Sequence, residues 1–350
     1  MGIGRDLTIN HFFRFMEIAG KNIGDRPLIL APMEDVTNPP FRKFCKKFGA
    51  DWLYSEFVSA DALVRSVNKS LKKLTIDGME RPVTIQIYGR YIDSMVEAAK
   101  IVEEVQPDFI DLNFGCPVKR VAQKGAGAGL LRDIPLMVEM AAQIVKAVKI
   151  PVTAKTRLGW DCENIIVGDI AERLQDVGIQ ALAIHGRTRS QMYTGEADWG
   201  PIAQVKNNPR IKIPIIGNGD ITSPEKAKEA FDKYGVDGVM IGRATIGRPW
   251  IFRQIKHYFE TGELLPDLSV AEQINIIKEQ ILLSVEWIDE IRGLLHMRRH
   301  MAAMFKGLPH FRDLRIRMLQ APDLQTLWQV FDEIREKYGE QSSIEKIKTC

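Results

Sequence analysis

Cys116 is the residue best placed for chemistry. It stands in Asn113–Pro117 (NFGCP), just past an apolar run, and a glycine-rich stretch, Lys124–Gly129 (KGAGAG), follows it. Free cysteines are usually inert core residues, which is the expectation for Cys45. A thiol between loop formers, beside a flexible glycine-rich loop, instead reaches a ligand. With an ordinary pKa near ~8.5 it is mostly protonated at neutral pH and can act as a general acid.

Lys155 interrupts the apolar run Val152–Leu158 (VTAKTRL). A lysine there faces a cavity or bears a large desolvation cost. Three roles fit it: a Schiff-base nucleophile of the aldolase kind, a fixed cation beside an anionic cofactor, or a structural lysine whose ammonium reaches solvent. Asn218-Gly219-Asp220 and Gly242-Arg243 end two successive apolar runs. Glycines let backbone amides approach an anion and an arginine adds charge-assisted bonds, so two such turns side by side favour a phosphate over two ordinary turns. His185, Arg187 and Arg189 form a third cationic group, suited to an anion or a pyrimidine carbonyl.

All of these residues end strand-like runs. Eight are expected: Leu28–Met33, Trp52–Phe57, Val83–Gly89, Phe109–Gly115, Val152–Leu158, Ala181–Arg187, Ile213–Asp220 and Gly238–Arg243. Between them lie amphipathic helical segments such as Tyr91–Val105, Pro135–Val148 and Ser223–Tyr234, the last opening with a capping serine and a first-turn proline. Continuous apolar strands separated by helices imply a parallel sheet covered on both faces. Eight units in about 220 residues match a (β/α)8 TIM barrel, whose strand C-termini converge on one mouth. A doubly wound sheet is disfavoured, because no G-x-G-x-x-G follows the first strand. Past Trp250 the texture becomes purely helical. The expected organisation is an N-terminal extension (1–26, helical or irregular), a barrel (27–260), a helical domain (261–337) and a polar tail (338–350).

The bulk numbers exclude little. Length 350, 45% hydrophobic, 27% charged and net charge +3 describe an ordinary globular chain. Four scattered cysteines with no metal-ligand spacing suggest no metal and a reduced, cytoplasmic setting. No apolar run approaches a membrane span, and the first residues carry neither a secretory nor a myristoylation pattern. Charge is asymmetric, however. Between Ile291 and Met318 stand Arg292, Arg298, Arg299, Lys306, Arg312, Arg315 and Arg317 against Asp313 alone. Such a surface suits a polyanion better than a face laced with i,i+4 salt bridges.

Taken together, Ala31–Arg42 (APMEDVTNPPFR), NFGCP, Lys124–Leu131 (KGAGAGLL), His185–Trp199 (HGRTRSQMYTGEADW), NGD, Ile241–Trp250 (IGRATIGRPW) and Arg298–Arg312 (RRHMAAMFKGLPHFR) resemble tRNA-dihydrouridine synthases, and the bacterial B-type branch most. The resemblance spans about residues 27–335. It implies an FMN-binding barrel, a helical tRNA-binding domain and NADPH-driven reduction of uridine to 5,6-dihydrouridine. Its flavin contacts fall on Pro32, Met33, Glu34, Gln86, Lys155, His185, Asn218, Gly219, Asp220, Gly242 and Arg243, and its acid on Cys116. Substrate contacts are expected from Asn113, Arg187, Arg298, Arg299 and Lys306. Glu34 stands where many relatives carry alanine, so its contact is expected through the backbone. Phe114 replaces a common methionine of similar bulk.

Overall fold

The computed structural model describes residues 15–341. Two strands, β1 (Phe15–Ile18) and β2 (Lys21–Asp25), form an antiparallel hairpin. Eight more, β3 (Leu28–Leu30), β4 (Trp52–Ser59), β5 (Val83–Tyr88), β6 (Phe109–Asn113), β7 (Val152–Arg157), β8 (Leu182–His185), β9 (Ile215–Asn218) and β10 (Gly238–Ile241), close into a parallel barrel. Each expected strand is present. The three helices named from periodicity run Ile92–Glu104, Ile134–Ala147 and Pro224–Asp232. Ser223 caps the last, accepting from Lys226 N–H, with Pro224 in its first turn.

The N-terminal segment departs from expectation. Its described part, residues 15–26, is the β hairpin and not a helical or irregular arm. Met16, Ile18 and Ile23 are buried with Ile29, Trp52, Phe109, Ile216 and Met240 of the barrel interior. Alternating burial in β1 marks a strand with one face on the core. The hairpin thus packs apolar side chains into the end of the barrel away from the mouth. The earlier residues of that extension, and most of the expected tail, lie outside the described residues.

Gly262 ends the helix Ile251–Thr261 in a left-handed conformation. Four helices follow: Val270–Trp287, Glu290–Ala303, Arg312–Gln320 and Leu324–Tyr338. A capping box of Ser269 and Glu272 starts the first. Their shared core includes Ile277, Ile281, Met297, Met301, Phe305, Phe311 and Phe331, and it continues into Phe44, Phe48 and Trp250 on the barrel side. Gly293 lets the first two helices cross closely, since a Cβ there would lie 2.8 Å from Val285 Cα. None of the described helices is long and apolar enough to cross a membrane.

Candidate active site

Side chains two apart on a strand face the same way. Thr84 and Gln86 on β5, Asp111 and Asn113 on β6, and Thr153, Lys155 and Arg157 on β7 all follow this spacing, and the ladders place Gln86 beside Asp111 and Asn113 beside Lys155. A second row, Arg157, His185, Asn218 and Met240, crosses the neighbouring strands to β10. At the strand C-termini Asn113, Lys155, Arg157, His185, Asn218 and Met240 line a cavity of about 720 Å³, within the usual size for a cofactor site.

One wall carries the thiol. Cys116 is buried, against Phe57, Tyr88, Val121 and Ala126. Asn113 Oδ1 accepts from the backbone N–H groups of Gly115 and Cys116 at 3.0 and 2.8 Å. Asn113 Nδ2 donates to Gln86 Oε1 at 2.8 Å, and Gln86 Nε2 to Asp111 at 2.7 Å. Asp111 also accepts from Thr153, and burial pushes its carboxyl up to about 6. Arg157 Nε donates to Gly115 O at 2.8 Å. The turn that presents the thiol is thus held from both sides. Burial raises the Cys116 pKa, keeping the group protonated.

The glycine-rich stretch is not the flexible loop expected. Gly127 through Leu131 are buried in a 3-10 turn. A Cβ on Gly129 would lie 2.4 Å from Ala122 O, and one on Gly127 3.0 Å from Cys116 Cβ. These glycines serve close packing behind the thiol.

The opposite wall is made by the two turns. Lys155 Nζ donates to Asn218 Oδ1 at 3.0 Å, and Asn218 Nδ2 to Met240 O at 2.8 Å. Burial and the neighbouring Arg157 bring the Lys155 ammonium down to about 7. Gly219 has φ +136°, and a Cβ there would lie 2.5 Å from Ala197 Cβ and 3.3 Å from the His185 ring. The backbone N–H groups of Ile221, Thr222, Arg243 and Ala244, all lining the cavity, bond to no described residue. Burial first, then Lys155 and Arg157, depress the His185 pKa strongly, so its ring is neutral.

Arg187, expected as a substrate contact, acts here on its neighbours. It does not line the cavity. It is 2% exposed and grips Asp220 with both Nη atoms, at 3.0 and 2.6 Å, while also donating to Thr194 O and Gly195 O. The end of its motif is likewise a strut. Trp199 Nε1 donates to Gly219 O, and its ring covers Gly217, where a Cβ would lie 2.1 Å away. Gln86, expected as a cofactor contact, is set back from the cavity. It is fully buried outside the lining, and its amide is engaged at both ends. Asp220 does line the cavity but is held by Arg187, Arg243 and Ala197 N–H.

Pro32, Met33 and Glu34 line the rim after β3. Asn38 caps the next helix, with Pro39 and Pro40 in its first turn and Arg42 buried on Glu80. The Glu34 side chain turns to Lys73 Nζ at 2.6 Å, and Glu56 joins them at 3.4 Å from the same ammonium. Glu34, Asp35 and Glu56 bring carboxylate atoms within 4.8 Å of one another, and Lys73 supplies a cation there. Arg299 Nη1 donates to Glu34 O at 3.1 Å, and the buried His300 accepts from Gly247 N–H at 3.3 Å while packing on Phe41. Arg299 therefore reaches the cavity rim, whereas Arg298 and Lys306 are exposed outside the cavity lining. Two other cations of the basic segment are spoken for: Arg292 pairs with Asp289 and Arg317 with Glu333. Arg157 and Tyr193 also line the site and were absent from the expected contacts. For Arg157 a signal existed, its shared parity with Lys155. Tyr193, in an irregular loop, had none.

A family model described as dihydrouridine synthase (Dus) matches residues 29–338. The chain is 43% identical over 300 residues to tRNA-dihydrouridine synthase B of Pseudomonas aeruginosa, covering 85% of this chain and 90% of that one. It is 42% identical over 291 residues to a probable tRNA-dihydrouridine synthase of Rickettsia bellii, covering 82% and 88%. Among solved structures, a 2-naphthoyl-CoA reductase complex aligns with TM-score 0.55 at 16% identity, over 70% of this chain and 52% of that one. Histamine dehydrogenase from Rhizobium sp. 4-9 aligns with TM-score 0.54 at 13% identity, over 94% and 64%. The chain thus spans about half to two thirds of those structures, a likeness of fold.

Proposed function

This chain belongs to the dihydrouridine synthase family, and we propose that it reduces uridine in tRNA to 5,6-dihydrouridine, with FMN as bound cofactor and NADPH as reductant. The observation that carries this reading is one cavity with a protonated thiol on one wall and a lysine beside two amide-rich turns on the other. The cavity fits FMN. The N–H groups of Ile221, Thr222, Arg243 and Ala244, which bond to no described residue, suit its phosphate, with Arg243 adding charge. Lys155 and the neutral His185 suit the ring's polar edge, and Pro32, Met33, Glu34, Asn218, Gly219, Asp220 and Gly242 would complete the wall. Gln86 would act from behind, through Asn113.

FMN, when bound, supplies a hydride that originates on NADPH. The uracil receives that hydride at C6 and a proton at C5. Cys116 gives the proton, and its buried turn holds the thiol in one place. Asn113 fixes that turn. Lys155 steadies negative charge on the cofactor, since an anion beside it restores its ammonium form. We assign the barrel (27–260) to this chemistry and the helices (261–337) to docking tRNA through Arg298, Arg299 and Lys306, with a cytoplasmic setting. The target base must leave its stack to reach the cavity.

The test uses flavin-loaded protein, NADPH and unmodified tRNA, with dihydrouridine measured by mass spectrometry. The reading predicts turnover on tRNA and none on free uracil. Turnover of the free base alone would sink it in favour of a pyrimidine reductase. The low Lys155 pKa would equally suit a Schiff-base lyase, and covalent trapping of a carbonyl substrate by borohydride would establish that instead.

A further inference from the structure

The segment that follows the thiol carries a second concentration of charge. From Pro117 to Arg132 there are four cations, Lys119, Arg120, Lys124 and Arg132, and no acid. All four are exposed. None forms an ion pair with a described residue, and neither does the neighbouring Arg90, whose side chain lies against Gly125. The flanking Asp133 caps the helix that follows, accepting from Leu136 N–H. Arg132 stacks on the Trp160 ring and Arg90 on Tyr91, but the side chains of Lys119, Arg120 and Lys124 bond to no described residue.

Their placement is informative. They follow β6, which stands four strands from β10 in the closed order of eight. The helical region meets the barrel beside β3 and β10, through Arg299 on Glu34 O and His300 on Gly247 N–H. The two cationic surfaces thus occupy opposite rims, with the cavity between them. A nucleotide lowered into the mouth has a phosphate chain leaving it on two sides. One rim accounts for one side only.

We propose that Lys119, Arg120 and Lys124 form a second RNA-backbone surface, gripping phosphates on the side of the reacting nucleotide away from the helical region. This rests on the tRNA reading above. Its signature is ionic: each lost contact to a flexible strand lowers the slope of log affinity against log salt by about 0.7.

The test measures tRNA binding by the flavin-loaded protein across a salt series. A Lys119→Ala/Arg120→Ala/Lys124→Ala variant should lose about 2 from the slope and bind roughly 10- to 100-fold more weakly at low salt. A control, Lys146→Ala/Lys149→Ala/Lys212→Ala, removes equal charge from exposed positions before β7 and β9, at the barrel's other end, and should leave the slope unchanged. Equal slopes for the two variants would overturn the proposal. Independently, lysine acetylation of the unaltered protein should show Lys119 and Lys124 protected by tRNA, and full labelling of both would also overturn it. A wild-type protein that bound no tRNA at any salt would instead refute the tRNA reading itself.

Discussion

The barrel mouth and the helical surface are both rich in charge, and they use it in opposite ways. In and behind the mouth, Arg157, Arg187 and Asp111 are buried and each is bound at several atoms. In the helical region, Arg298, Lys306 and Arg312 are exposed and bonded to no described residue. Burying charge is costly unless it is fully paired, so charge kept inside must be doing something that depends on geometry. Exposed charge costs little and acts at a distance, within the roughly 10 Å reach that salt allows. On the function proposed above, one region would hold a reaction in register and the other would attract a polyanion.

Substitutions can sharpen or break this division. The largest effect is expected at Cys116. Cys116→Ala should lower dihydrouridine formation about 10³-fold, in the usual range for loss of a general acid, while NADPH still reduces the flavin. Normal turnover by that variant would remove the acid assignment. Asn113→Ala releases the turn without touching the thiol, and should cost kcat roughly 10²-fold with little change in KM. Arg298→Ala/Lys306→Ala should do the reverse, raising KM for tRNA about tenfold and flattening its salt dependence with kcat preserved. If the last two effects exchanged places, the division between regions would fail.

Two smaller effects concern protons and packing. Lys155 titrates near 7 in the cofactor-free protein. At pH 8 its side chain is mostly neutral, so binding an anion beside it should take up protons. At pH 6 it is already charged and uptake should vanish. Calorimetry in buffers of different ionisation enthalpy reads this directly. Cys116, whose pKa is raised, should keep the rate flat through neutral pH and lose it only above the ordinary thiol range. His300→Leu leaves Gly247 N–H unpaired at the junction of barrel and helices. It should cost about 1–3 kcal/mol of stability, read by denaturant titration.

Much of this was legible in the chain. The β strands announce themselves because buried parallel strands are continuous apolar runs, and the polar residues that end them converge because a barrel leaves them no other place. What escaped was the difference between a residue at the site and one that holds it. Arg187 sits in the same motif as the lining residues His185 and Tyr193, and Gln86 lies near a strand end as other lining residues do. Only the three-dimensional partners, Asp220 for one and Asp111 with Asn113 for the other, place their side chains behind the lining. The glycines after Cys116 misled similarly, since a glycine needed for close contact reads like one needed for freedom. The N-terminal hairpin was missed because two short strands give too few alternations to register as a pattern.

That hairpin has a kinetic consequence. With Met16, Ile18 and Ile23 packed into the floor, the described residues leave the cavity open at the strand C-termini. On the proposed chemistry, the dinucleotide must deliver its electrons and depart before the base can enter, so the two substrates should queue. Initial rates at varied NADPH and tRNA should then give parallel double-reciprocal lines, the pattern of a turnstile that admits one visitor at a time.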